Sequence, residues 1–127
     1  MNYVTLYRNR KSGDCLIQRY AGIYAVGKFV SVSAAEMKAR GLEIILNHLK
    51  DEPSDKPELN TFSKEEEKTF RRDHRGISVD FSGQDIIKVG PLRRQGSGYV
   101  VRKEDVIRLA RPCTNEEFLA ALDQAFA

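Results

Sequence analysis

The sequence predicts an α+β domain, a mainly antiparallel sheet packed against two or three helices. Two observations carry that prediction. Short runs with period-2 apolar alternation recur near Asn2–Arg8, Cys15–Tyr20, Ile77–Phe81 and Ile86–Val89, each bounded by turn residues. Three capping boxes, Ser33–Glu36, Ser63–Glu66 and Thr114–Glu117, each open a stretch of helix-forming residues. The strands come in neighbouring pairs joined by tight turns, which suits antiparallel hairpins.

In order, Asn2–Arg8 reads as a strand and Asn9–Gly13 as a turn, with Cys15–Tyr20 returning as the second strand of a hairpin. Ile23–Val26 and Phe29–Val32 continue the extended pattern around Gly27. Ser33 then caps a helix whose Leu42, Ile45, Leu46 and Leu49 form one apolar stripe. Gly41 inside it costs about 1 kcal/mol against Ala, and reads as a close approach of the helix to the sheet. Asp51–Asn60 holds two prolines and little to bury, so it reads as a surface loop. Ser63 opens a short helix to about His74, with acids first and arginines last, as the helix dipole favours. Phe70 is its one large apolar residue, which predicts a loosely held surface helix.

The final third runs Ile77–Phe81, the turn Ser82–Asp85, Ile86–Val89, and a flexible loop Arg93–Gly98. Tyr99–Arg102 and Val106–Leu109 then give one strand or two short ones. A capped helix carries Phe118, Leu119, Leu122 and Phe126 as its buried stripe. This strand, cap and helix ending echoes residues 29–49.

At 127 residues the chain is expected to be one domain. It has no apolar run near the roughly 20 residues of a membrane span and no apolar signal core, so a cytoplasmic location is expected. Cys15 and Cys113 have neither CxxC spacing nor metal-ligand companions, and read as packed thiols. The net charge of +3 is unevenly spread. Residues 1–50 carry +5, 51–67 carry −5, 68–111 carry +6, and the remainder −3. Such asymmetry suits a binder that presents patches of both signs.

The residues offer little for catalysis. His48 and His74 have no spacing that pairs them for acid–base work, and two isolated histidines do not make a metal site. Ser33, Ser63 and Thr114 are accounted for as caps. The glycines at 90, 96 and 98 lack the Lys-Ser/Thr and following helix of a phosphate-binding P-loop, so a hairpin loop is the better reading. Arg71-Arg72, Arg93-Arg94 and Arg102-Lys103, with five tyrosines for stacking, leave a small nucleic-acid-binding module as the alternative. The acidic segment and the lack of any RNA- or DNA-binding signature stand against it. No enzyme activity, cofactor or metal is expected.

The segments RRDHRGISVDF, GQDIIKVGPL and YVVRKEDVIRLARPCTNEEFLAALDQAF, with the earlier FVSVSAAEMKARGLEIILNHL, cover about residues 25–126. In order and spacing they resemble the CdiI family of contact-dependent growth inhibition immunity proteins. The resemblance implies a non-enzymatic cytoplasmic protein that binds and neutralises the C-terminal toxin domain of an effector. A nuclease such as a tRNase is the expected class of toxin. A basic chain departs from the acidic character common among immunity proteins to nucleases. The partner-binding candidates come from charge alone. They are Asp51, Glu52, Asp55, Glu65, Glu66 and Glu67, placed to imitate nucleic-acid phosphates before a basic nuclease cleft.

Overall fold

A computed structural model describes residues 3–21, 24–25, 27–50, 60–96 and 98–127. It contains strands β1 (Tyr3–Asn9), β2 (Cys15–Ala21), β3 (Tyr24–Ala25) and β4 (Val30–Val32), followed by α1 (Ala34–Lys50) and α2 (Lys64–Asp73). Then come β5 (His74–Asp80), β6 (Ile86–Pro91), β7 (Arg93–Gln95), β8 (Gly98–Val100), β9 (Ile107–Ala110) and α3 (Asn115–Phe126). The α+β class is therefore as the sequence predicts. The main sheet has the order β3-β2-β1-β5-β6-β9, and β4 also pairs with β2. Every pairing is antiparallel.

Register decides which side chains share a face. Leu6 lies opposite Ile17 on one side and Ile77 on the other, and Val79 lies opposite Val4 and Val89. These residues form one apolar face, and α1 and α3 cover it. Their Ile45, Phe118, Ala121 and Leu122 complete a buried core with Phe81 and Ile87. Each fully buried Leu, Ile or Phe contributes about 1.5–3 kcal/mol. Cys15 lies in this core and Cys113 packs against it, both as free thiols. Burial pushes both thiols above the ordinary cysteine pKa.

The two strand–cap–helix units bracket the sheet. β4 borders β2 at one edge, β9 borders β6 at the other, and their helices meet over the core. All three capping boxes form. Helix α1 breaks at Arg40 (φ −159°, ψ 36°). The break leaves local backbone groups open, and Asn115 of α3 fills the gap. Its Oδ1 accepts from the Leu42 N–H (2.9 Å) and its Nδ2 donates to the Lys38 carbonyl (3.0 Å). Gly41 differs from expectation. The space a Cβ would need is taken by Met37 of the same helix, with Cε at 3.0 Å, not by the sheet.

The other face carries Thr5, Tyr7, Gln18, Gly76 and Ser78, and α2 lies against it. Helix α2 is not loosely held. Phe70 stacks on Phe29 (5.3 Å), Phe62 (5.4 Å) and His74 (4.3 Å), and meets Tyr7 edge-on (5.0 Å). Buried Gln18 accepts from Asn60 Nδ2 (2.9 Å) and donates to the Gly27 carbonyl (3.1 Å), tying the approach to α2 onto β2. The stretch expected as a flexible Arg93–Gly98 loop instead forms a two-stranded ribbon, β7–β8. Tyr99 and Leu109 fall in separate strands of separate sheets. The ribbon leads into Val101, which sits over Gly90 of β6 where a larger residue would collide with it.

Candidate functional site

Among the described residues, a cleft opens where β1 ends and β5 begins, between α2 and the β7–β8 ribbon. Its position follows from strand pairing. Asn9 lies opposite His74, and the Arg10 N–H bonds the Asp73 carbonyl at 2.9 Å. In the register Arg75 lies opposite Arg8, and Arg10 and Arg75 both line the cleft. Arg71 enters from α2, and Arg93 and Arg94 from the ribbon. The floor is Gly76, Leu92 and Tyr7, packed so closely that a Cβ on Gly76 would lie 3.1 Å from Leu92 Cδ1 and 3.2 Å from the Tyr7 ring. The cavity measures about 230 Å3.

Two of its five arginines are neutralised. Arg71 pairs with Glu67 (3.2 Å) and lays its guanidinium over Tyr99, 4.1 Å from the ring centre. Arg93 reaches Asp105 at 3.5 Å. Arg10, Arg75 and Arg94 have no carboxylate partner among the described residues, which leaves three positive charges in surplus. The Nε of Arg75 is buried without a hydrogen-bond partner among the described residues. Such an orphan costs on the order of 1–3 kcal/mol, and native proteins leave few of them. Burial, then Arg93 and Arg10, lower the pKa of Arg75. Burial, and after it the neighbouring Tyr20, raise that of Tyr7 above the ordinary phenol value.

A larger cavity of about 590 Å3 runs along α1, lined by Leu42, Leu46 and Leu49. Of its two arginines, Arg40 and Arg111, Arg111 donates to the carbonyls of Phe81 (2.6 Å) and Gly83 (2.8 Å). A buried donor without a partner among the described residues, the Nε of Arg75, distinguishes the smaller cleft from it.

The sequence-derived acidic candidates divide in two. Asp51, Glu52 and Asp55 lie outside the described residues. Glu65, Glu66 and Glu67 are exposed in the first turn of α2. Glu66 closes the capping box and Glu67 holds Arg71, while Glu65 projects beside them. The histidines are not brought together. His48 sits on α1 over the core face, whereas the His74 ring meets the Phe70 carbonyl at 2.9 Å on the opposite face. No group of three His, Cys, Asp or Glu suited to a metal occurs among the described residues. No helix among them is long and apolar enough to cross a membrane. Arg71, Arg93 and Arg94 belong to clusters visible in the sequence. Tyr7 is one of the five tyrosines read as stacking surfaces, whereas Arg10 and Arg75 belong to no such cluster and reach the cleft only through the fold.

No protein-family model matches the chain, and no curated protein matches it. The fold is similar to the solved structure of NMB0488, a protein of unknown function from Neisseria meningitidis. The TM-score is 0.58 over 98% of this chain and 92% of that one, at 14% sequence identity. At that identity the likeness is one of fold.

Proposed function

We propose that this chain is a non-enzymatic, cytoplasmic binding protein of the immunity type, neutralising the toxin domain of a contact-dependent growth inhibition effector. The observation that carries the reading is the surface made by α2 and the β7–β8 ribbon. There Phe62 (44%), Tyr99 (37%) and Val100 (39%) stand exposed among charged groups of both signs. Aromatic and arginine side chains with a polar surround are the usual anchors of a protein interface. The resemblance in element order supplies the immunity class. The acidic first turn of α2 supports a nuclease as the toxin, because Glu65 and its neighbours suit a basic cleft.

The test is rescue. A toxin domain found encoded beside this gene is expressed with and without the protein, and growth is measured. Cells survive only with it. Glu65→Lys with Glu67→Lys, sparing the capping Glu66, lowers protection. Full protection by that variant removes the acidic turn from the interface. Death despite folded, expressed protein rejects the immunity reading.

A second reading, a small nucleic-acid-binding module, is favoured by one observation. Arg71, Arg93 and Arg94, from two of the sequence's clusters, meet in one cleft with Tyr7 and Tyr99. It predicts RNA or DNA binding that weakens steeply with salt. A gel shift with random-sequence RNA and DNA at low salt checks it, and no retardation rejects it.

A further inference from the structure

We propose that the cleft between α2 and the β7–β8 ribbon is a binding site for a phosphate monoester group, held by Arg10, Arg75 and Arg94. This inference does not rest on the immunity reading, since it concerns a ligand of the isolated chain.

Three observations lead to it. Guanidinium groups from three separate parts of the chain converge here, and three of the five have no carboxylate partner among the described residues. Like charges gathered without counter-charges repel, so a fold that holds them together is completed by an anion. The Nε of Arg75 is a buried donor with nothing to donate to. A tetrahedral phosphate oxyanion suits several guanidinium forks at once, whereas one carboxylate engages a single fork with its two oxygens.

The shape narrows the ligand further. The floor is closed by Gly76, Leu92 and Tyr7, so the cleft admits the end of a ligand and not the middle of a chain. Its volume of about 230 Å3 takes a phosphate and a small part of its carrier. At the walls, the rings of Tyr7 and Phe70 pack edge to face, and Tyr99 lies under Arg71. A nucleoside 5′-monophosphate, a phosphorylated nucleic-acid end and free phosphate all present the same chemistry.

The test is titration of the full chain at low ionic strength, read by calorimetry and by thermal shift. The probes are inorganic phosphate, a nucleoside 5′-monophosphate against its parent nucleoside, and a 5′-phosphorylated oligonucleotide against its 5′-hydroxyl form. Saturable binding with Kd about 1 mM or tighter is expected for the phosphorylated members alone. Which probe binds most tightly identifies the source. Arg75→Gln and, separately, the exposed Arg94→Gln each weaken binding by about tenfold or more. Because Arg94 is exposed, its variant reports on binding even if the Arg75 variant folds poorly. No binding of any phosphorylated probe at about 10 mM overturns the proposal. So does equal binding of the phosphorylated and unphosphorylated forms, or affinity unchanged in both variants. Rescue from a toxin is scored separately and fails or succeeds on its own.

Discussion

The two faces of the sheet are built on different terms. The face under α1 and α3 is closed by apolar side chains, with Val4, Leu6, Ile77, Val79, Phe118 and Leu122 at 0% exposure. Where backbone groups come free there, at the Arg40 break, Asn115 satisfies them. The face under α2 is held by stacked rings and the Gln18–Asn60 pair. At its rim it keeps three arginines, Arg10, Arg75 and Arg94, whose charge no carboxylate among the described residues answers. The first face is organised for stability. The second gives some stability up, and uncompensated groups of this kind are characteristic of functional sites.

The largest test of this contrast lies in the core. Phe118→Ala, at 0% exposure, should cost about 3–5 kcal/mol and unfold the whole chain at lower urea. A loss below about 1 kcal/mol would mean that α3 does not close the core. Phe70→Ala on the opposite face should cost less, about 1–3 kcal/mol, because its partners are half-buried or exposed. Its mark is local. Amide exchange speeds in α2 while β1 and β5 stay protected, and uniform acceleration would erase the distinction between the faces.

Asn115→Ala should cost about 1–2 kcal/mol by orphaning the Leu42 N–H at the α1 break, measured by denaturant titration. An unchanged midpoint would show that water replaces the side chain.

Tyr7 sharpens the comparison through pH. Its folded-state pKa is raised, so its contribution is fully present below the unfolded phenol value of about 10 and is lost as pH rises beyond it. Wild-type stability should fall more steeply above pH about 10 than that of Tyr7→Phe. Identical slopes would place Tyr7 in water.

The capped helices and the hairpins were legible because their signals are local. Ser63 and Glu66, or Thr114 and Glu117, lie three residues apart and bond across that interval. Arg93–Gly98 reads as a loop, although Tyr99 beyond it reads as strand, because three-residue strands offer too little alternation to register. The anchoring of α2 was missed for a different reason. Phe29, Phe62 and Phe70 are scattered in sequence, and only folding brings them onto Tyr7. The cleft is illegible for the same cause, since Arg10, Arg75 and Arg94 come from separate parts of the chain and meet only on folding. Charge alone pointed to the acidic first turn of α2, where two of the three glutamates prove to be engaged within the fold.

The most direct measurement is also the one with the smallest expected effect. Thermal unfolding of Arg75→Met is compared with wild type in phosphate-free buffer at neutral pH. Methionine keeps an apolar stem and removes a buried donor without a partner, along with its repulsion from Arg93 and Arg10. If Arg75 serves a ligand and not the fold, the variant melts at the wild-type temperature or above it. A fall of about 4 °C or more, roughly 1 kcal/mol, would make Arg75 a structural residue and contradict the account.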